Sequence, residues 1–184
     1  NRTHLKDYRN ATNEKTGIIL IAHTSNYRVE GFTAMPSLEA IVELAHENDV
    51  PVLYDLGSGA FYDLDQFDLP PEPVVREVAD AGVDVITFSG DKLVGGPQAG
   101  LVVGKKELLD KIKSNPLTRA LRCDKLIYAA MEATLQTYVS PDKLPAKNLT
   151  YALLTRSVDD LEILGKKILA GLTPQTRSAL DIEL

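Results

Sequence analysis

The chain has 184 residues, 44% of them hydrophobic and 25% charged, and its net charge is −6. These proportions are typical of a globular protein and exclude a collagen-like or largely disordered chain. The negative charge disfavours nonspecific binding to nucleic acid or to an anionic membrane, although clustered cations can still bind an anion locally. No apolar run reaches the roughly 20 residues that cross a bilayer, so we expect no membrane partner.

The cysteine content bears on the cellular setting. A single cysteine, Cys123, excludes an intrachain disulfide and a cysteine-rich metal site, and it indicates a reducing, cytoplasmic compartment. The chain opens with Asn-Arg-Thr-His, without Met and without a signal pattern. We therefore expect it to be part of a longer protein.

Four short apolar runs predict the strands of a sheet. The first, at 16–23, is nearly continuous and is typical of a strand that is buried on both faces. Further runs lie at 50–55, 85–89 and 101–103. Segments of helical periodicity separate the first three, and this alternation predicts βαβ units, so we expect an α/β fold with a mostly parallel sheet flanked by helices.

Capping residues and apolar spacing predict the helices. Ser37 is a candidate N-cap, Gly82 ends the second helix, and Ser157 with Asp160 resembles a capping box. The segment Ser140–Asn148 has two prolines and no apolar periodicity, and we interpret it as a linker. The predicted helices lie at 38–48, 73–81, 105–114, 124–139 and 157–170.

Polar residues follow the first three predicted strands. Since ligands of parallel sheets bind at the carboxyl ends of the strands, we expect 23–26, 55–58 and 89–92 to converge. Lys92 lies there in a glycine-rich loop, where partial desolvation would lower its pKa and make its amine a nucleophile for a carbonyl. Asp55 would keep a pyridine nitrogen protonated, as pyridoxal phosphate (PLP) requires. Taken alone, however, a lysine at a strand end is usually a solvated loop residue, and an aspartate there is often a helix or turn cap.

Four ordered segments carry a resemblance to a known family. They read HTSNY at 23–27, DLGSGA at 55–60, SGDKLVGGPQAG at 89–100 and NPLTRALRCDK at 115–125. The third resembles the lysine segment of fold type I PLP-dependent enzymes. Together, the four resemble the bacterial selenocysteine synthases, the L-seryl-tRNA(Sec) selenium transferases, over residues 1 to 170.

The resemblance implies a PLP site in the large domain of a fold type I enzyme. Lys92 would bind PLP as an imine, and Asp55 would pair with the pyridine nitrogen. Ser89 would contact the cofactor phosphate, and Asn26 and Ser58 are candidates for contact with the ring hydroxyl.

The resemblance also implies a site for the selenium donor. Arg119 and Arg122 match the arginines that bind the phosphate-like anion, and Asp91 matches an acidic residue of the reaction. If their segment is helical, the i, i+3 spacing places both guanidinium groups on one face, where they would form a clamp for a tetrahedral anion. Solvent-exposed arginines that pair with acids are the alternative.

The activity that the resemblance implies is conversion of seryl-tRNA(Sec) to selenocysteinyl-tRNA(Sec), through a PLP-bound aminoacrylyl intermediate with selenophosphate as donor. We expect residues 1–140 to be part of the catalytic domain, 141–148 a linker and 149–184 the start of a small C-terminal domain. The phosphate-binding and tRNA-binding regions would lie mainly outside the chain, which is then a catalytic-domain fragment. Large homo-oligomers are also implied.

Several alternatives remain open at this stage. His23 is either a general base or ring-stacking group, or simply a hydrogen-bonded histidine, while Cys123 has no evident partner base and is left out of the site. The rival functions are a related PLP-dependent lyase or transferase that acts on a small amino acid without tRNA, and a catalytically silent module of the same fold. A nucleotide-binding domain lacks its glycine-rich motif after the first strand.

Overall fold

The computed structural model describes residues 2–27, 29–180 and 182, and in this part of the chain four strands form one sheet. The strands follow one another in the order β1-β2-β3-β4; β1, β2 and β3 are parallel, and β4 is antiparallel to β3. Their bounds are β1 (Ile19–Ala22), β2 (Val52–Gly57), β3 (Val85–Ser89) and β4 (Gly100–Gly104). The predicted mostly parallel sheet is confirmed.

Two crossover helices connect the parallel strands. Helix α2 (Leu38–Glu47) begins at Ser37, whose side chain accepts a hydrogen bond from the Ala40 N–H, so the predicted N-cap is confirmed. Helix α3 (Val75–Asp80) ends just before Gly82, which has a φ of +92° that suits glycine. The apolar faces of both helices pack with the inner side chains of the strands in one core, which includes Ile19, Ile21, Ile41, Val42, Val52, Val75, Val78 and Ile86.

The other face of β1 is not covered. Its side chains alternate between buried and exposed, and Leu20 is 63% exposed. The prediction that this strand is buried on both faces is therefore wrong for the part of the chain that the structure describes. The physical reason is that β1 is an edge strand here and that the crossover helices pack on one side of it only.

The elements after β4 are helical. The predicted helices at 105–114, 124–139 and 157–170 are found, the second with a terminal 3₁₀ turn at Thr137–Val139. Ser157 accepts a hydrogen bond from the Asp160 N–H and donates one to its carboxylate, as predicted for this helix start. The bounds are α4 (Lys106–Ser114), α5 (Pro116–Leu121), α6 (Lys125–Gln136), α7 (Leu144–Lys147), α8 (Leu149–Leu154), α9 (Val158–Gly171) and α10 (Pro174–Leu180).

The segment that the sequence predicts to be a linker has regular structure. It contains a 3₁₀ helix (Pro141–Lys143) and α7, and both Leu144 and Asn148 are buried. Its prolines start these short helices, where a missing N–H costs nothing. The segment is therefore structured, and its interpretation as a linker, like the division into domains, stays a prediction. Residues 1, 28, 181, 183 and 184 of the predicted domains lie outside the described residues.

The remaining elements are short and were not predicted from the sequence. Helix α1 (Leu5–Ala11) precedes the sheet, and a 3₁₀ helix (Leu64–Phe67) lies between β2 and α3. Among residues 2–27, 29–180 and 182, no helix has both the length and the apolar character that a bilayer span requires.

A buried carboxylate ties the sheet to α2 and α4. Asp84 is 4% exposed; its Oδ2 accepts hydrogen bonds from the Val52 N–H (2.6 Å) and from His46 Nε2 (2.9 Å), and its Oδ1 lies 2.6 Å from Lys105 Nζ. Burial raises the pKa of Asp84, but the hydrogen bonds from Lys105, Val52 and His46 outweigh burial and hold this pKa below its usual value. The ionised carboxylate is thus the form that stabilises the fold.

We expect Asp84→Asn to lower the free energy of unfolding by about 1.5–3 kcal/mol at pH 7, because a neutral amide replaces an acceptor of charged donors. Since the pKa of Asp84 is lower in the folded state than in the unfolded state, this contribution is complete above about pH 4 and is lost as the pH falls through the folded-state value. Urea unfolding at pH 7 and at pH 3 measures both effects. Asp80→Asn, at an exposed ion pair with Arg76, is the control and should change stability by less than about 0.5 kcal/mol. Equal losses in the two variants would contradict the role of Asp84.

Candidate active site

The carboxyl ends of β1, β2 and β3 converge on the amine of Lys92, as predicted. Lys92 Nζ donates a hydrogen bond to Oγ of Ser25 (3.4 Å), a residue in the segment that follows β1. Gly57, at the end of β2, has a φ of +65°, and a Cβ there would lie 2.8 Å from Ser25 Oγ and 3.5 Å from Lys92 Nζ. Glycine therefore serves two needs at this position, the left-handed backbone and free space beside the amine.

Backbone hydrogen bonds fix the loop that carries the lysine. The Gly90 N–H donates to Ala99 O (2.8 Å), the Gly96 N–H donates to Gly90 O (2.7 Å), and the Leu93 N–H donates to Ser58 O (3.1 Å). At Gly90 a Cβ would lie 2.8 Å from the backbone carbonyl oxygen of Pro97, so the close packing of this loop requires the glycine. The loop therefore has a defined shape although Lys92 itself is exposed.

Lys92 lines a cavity of about 520 Å³. Two other predicted site residues, Ser58 and Asp91, line this cavity, together with Ser25 and Thr150. Because the cavity is open, the Lys92 side chain is exposed, and the predicted partial desolvation of this lysine is wrong for the described structure.

Glu72 is a residue of this site that the sequence analysis missed. Its Oε2 accepts a hydrogen bond from Ser58 Oγ (2.9 Å) and lies 3.1 Å from His23 Nε2. Burial, and then the Glu72 carboxylate, raise the pKa of Tyr54. Of the two alternatives for His23, the structure favours the hydrogen-bonded histidine, because Glu72 is the partner of its Nε2. Glu72 lies in the proline-rich stretch Pro70–Pro73, where no periodicity or motif marks it.

Glu72 also borders a second cavity of about 640 Å³ on the side of β1. His23, Thr24 and Tyr27 line that cavity, and Ser25 lines both. Ser25, Pro70 and Glu72 thus line both the cavity beside Lys92 and the cavity beside His23.

Asp55, Ser89 and Arg122 line a different cavity, of about 660 Å³, between the sheet and helices α4 to α6. Asp55 Oδ1 accepts a hydrogen bond from Thr87 Oγ1 (3.0 Å), its register partner on β3. Cys123 also lines this cavity. The structure thus divides the predicted site, with Lys92, Asp91 and Ser58 in one cavity and Asp55, Ser89 and Arg122 in another.

The two arginines differ in their relation to helix α5. Helix α5 contains Arg119 in its last turn and ends at Leu121, and Arg122 is the C-cap in an extended conformation (φ −64°, ψ 142°). The segment is therefore helical through Arg119, the helix ends just before Arg122, and the anion clamp stays a prediction. Arg119 and Asn26 are exposed and line neither the Lys92 cavity nor the Asp55 cavity.

The fold and the site together define the class of protein. A mostly parallel sheet with crossover helices, and a primary amine where its strands end, is an α/β protein with a lysine-centred site. A family model described as L-seryl-tRNA selenium transferase matches residues 1–184. The chain belongs to this family.

Curated relatives agree with this assignment. The chain is 50% identical over 185 residues to the L-seryl-tRNA(Sec) selenium transferase of Actinobacillus pleuropneumoniae serotype 5b (strain L20), covering 100% of this chain and 40% of that protein. It is 52% identical over 172 residues to the protein of the same name from Mannheimia succiniciproducens, covering 94% of this chain and 37% of that protein. The chain thus spans about 40% of the length of the curated relatives it matches.

A solved structure supports the fold. D-Glucosaminate-6-phosphate ammonia-lyase superposes with a TM-score of 0.60 at 23% identity, covering 75% of this chain and 34% of that chain. The predicted mostly parallel sheet flanked by helices is confirmed.

Proposed function

We propose that this chain is the lysine-bearing part of an L-seryl-tRNA(Sec) selenium transferase, which replaces the hydroxyl of the seryl group on tRNA(Sec) with selenium from selenophosphate. The observation that carries the proposal is the position of the Lys92 amine at three converging strand ends, in a chain that is about 50% identical over its whole length to proteins of that name.

The residues at the strand ends fit PLP as the cofactor. An imine to PLP needs a primary amine with free space around it, and Gly57 leaves that space beside Lys92 Nζ. A protonated pyridine nitrogen needs a carboxylate partner. Asp55 lines the neighbouring cavity but lies two residues before Gly57 on β2, so the ring would extend from Lys92 across the end of β2 to reach this carboxylate. When bound, PLP withdraws electrons from the substrate α-carbon, which is the chemistry that β-substitution on serine requires.

The protein side chains have separate tasks in this scheme. Lys92 binds the cofactor and, once the substrate amino group has taken its place, its Nζ accepts the proton from the α-carbon. Ser58 and Asn26 are the candidates for the ring hydroxyl, and Ser89 for the cofactor phosphate. The Ser58 hydroxyl already donates its hydrogen to the Glu72 carboxylate, so Ser58 Oγ is left as an acceptor for the ring hydroxyl.

Arg122, with Arg119 nearby in sequence, is the candidate group for binding selenophosphate, because a guanidinium fork matches a tetrahedral oxyanion. Arg122 lines the same cavity as Asp55, which supports a donor site next to the cofactor ring. Asp91, adjacent to Lys92 and lining its cavity, is the candidate acidic group of the reaction.

The proposal extends to partners and setting. The chain carries a net charge of −6, whereas tRNA binding requires cations that replace counterions, so we expect seryl-tRNA(Sec) to be bound mainly by parts of the protein outside this chain. We propose a cytoplasmic homo-oligomer. Residues 1–140 would belong to the catalytic domain, and residues 149–184 would start a small C-terminal domain, joined by the structured segment 141–148.

Replacing Arg122 tests the donor site in the full-length protein. We expect Arg122→Ala to raise the selenophosphate concentration at half-maximal rate about 10- to 100-fold, because a charged hydrogen bond of about 1.5–3 kcal/mol is lost. The half-maximal concentration of seryl-tRNA(Sec) should stay the same, and formation of selenocysteinyl-tRNA is the measurement. Arg122→Lys is the control that keeps the charge without the fork and should have an intermediate effect. Equal increases for both substrates would contradict a donor site at Arg122.

A further inference from the structure

Buried side chains from the segment after α6 hold the backbone just beyond Lys92. The Tyr138 hydroxyl lies 3.0 Å from the carbonyl oxygens of both Leu93 and Val94. Asn148 Nδ2 donates a second hydrogen bond to Val94 O (3.0 Å). The two carbonyls that follow Lys92 in sequence thus receive their side-chain hydrogen bonds from residues 44 to 54 positions further along the chain.

These contacts are shielded from water. Val94 is fully buried, Asn148 is 3% exposed and Tyr138 is 9% exposed. Burial raises the pKa of the Tyr138 hydroxyl far above its usual value, so the hydroxyl keeps its proton and its capacity to donate. Its single hydrogen is shared between the two carbonyls as a bifurcated bond. Buried carbonyls need partners within the protein. Without the Tyr138 hydroxyl, the Leu93 carbonyl loses its side-chain donor, and without Asn148 the Val94 carbonyl keeps only its share of the Tyr138 hydrogen.

Asn148 joins the loop to the wall of the lysine cavity. Its Oδ1 accepts a hydrogen bond from the Thr150 N–H (3.0 Å) and caps helix α8, and Thr150 lines the cavity of Lys92. On the loop side, a Cβ at Gly95 would lie 2.4 Å from Asn148 Oδ1, and Gly95 has a φ of +74°. A single amide therefore bonds to the loop with its nitrogen and to the helix with its oxygen.

We propose that Tyr138 and Asn148 are positioning residues for Lys92, which hold the backbone of residues 93–95 and thereby direct the lysine amine toward the strand ends. This inference rests on the proposed function of Lys92 as the residue that binds PLP. It makes the segment 138–148, interpreted from sequence as the end of a helix and a linker, an integral part of the lysine site.

Two substitutions in the full-length protein separate this role from general stability. Asn148→Asp keeps an oxygen acceptor for the cap of α8 but removes the donor to Val94 O, and Tyr138→Phe removes only the hydroxyl. Asn115→Asp makes the same change at the cap of α5, and Tyr8→Phe removes the hydroxyl of a tyrosine that packs against the core outside these loop contacts. These two are the matched controls. Asn148→Ser is a further variant without the amide donor, in case the added carboxylate prevents folding.

Two readouts are measured on every variant. Hydrogen exchange in the protein without PLP reports how often the backbone hydrogen bonds of the Leu93, Gly95 and Gly96 amides open. The rate at which borohydride traps added PLP on Lys92, determined by peptide mass mapping, reports the direction of the amine. We expect exchange at least about tenfold faster and trapping at least about fivefold slower in Asn148→Asp, Asn148→Ser and Tyr138→Phe, with both controls close to the wild type.

The outcomes distinguish the positioning role of Tyr138 and Asn148 from the proposed function of Lys92. Unchanged exchange in the test variants, or faster exchange with an unchanged trapping rate, would overturn the positioning role while leaving the function of Lys92 intact. Absence of PLP on Lys92 in the wild-type protein would instead overturn the proposed function, and the positioning role with it.

Discussion

Lys92→Ala in the full-length protein is expected to lower the rate of selenocysteinyl-tRNA formation about a thousandfold or more. The reason is that the variant loses at one position both the amine that binds the cofactor and the base for the α-proton, which together account for about 4 kcal/mol or more of the barrier. Initial rates with saturating seryl-tRNA(Sec) and selenophosphate are the measurement. Because the Lys92 side chain is exposed, the free energy of unfolding should change by less than about 0.5 kcal/mol.

Two further variants make the lysine experiment specific. Lys92→Arg keeps a positive charge near Ser25 but cannot form an imine, so it should be as inactive as the alanine variant. Lys167→Ala, at an exposed lysine of α9, should retain the wild-type rate. Substantial activity in Lys92→Arg would mean that the charge of Lys92 matters and its nucleophilic amine does not.

Asp55→Asn is expected to lower the same rate about 100-fold, which is the usual loss when one preorganised electrostatic partner of the reacting system is removed. The amide oxygen can still accept the hydrogen bond from Thr87 Oγ1, so the strand pairing between β2 and β3 is preserved. What the variant loses is the negative charge that would keep the pyridine nitrogen protonated. Steady-state rates and the absorbance of bound PLP are measured together.

Thr87→Val is the matched control for this carboxylate. It removes the hydroxyl that donates to Asp55 but leaves the negative charge, and it should cost less than about tenfold in rate because the charge that pairs with the pyridine nitrogen remains. If Thr87→Val and Asp55→Asn were equally impaired, the carboxylate would act through strand geometry and the proposed pairing with PLP would be contradicted.

The sequence was sufficient to predict the elements around the sheet, because their signals are local. The apolar run before Ala22 and the cap at Ser37 depend on neighbouring residues only, and both were found where predicted. The single covered face of β1 could not be predicted, since it depends on which elements pack on the sheet. The short helices α5 and α8 have too few residues to show a periodicity.

The candidate site was predictable as a set of residues but not as an arrangement. Lys92 and Asp55 stand out through their motifs, yet their distribution between two cavities depends on strand register and on the path of the loop after β3. Glu72 reaches Ser58 and His23 from 14 and 49 residues away in sequence, and no local pattern encodes such contacts. The same holds for Tyr138 and Asn148, whose partners lie across the fold.

The most direct test of the central claim is borohydride reduction of the full-length protein with PLP, followed by peptide mass mapping. Reduction converts an imine between a lysine and PLP to a stable secondary amine, so the modified residue can be identified after digestion. We predict a stoichiometric pyridoxyl group on Lys92 and its loss in Lys92→Arg. A pyridoxyl group on another lysine, or none at all, would contradict the assignment of Lys92 as the residue that binds PLP.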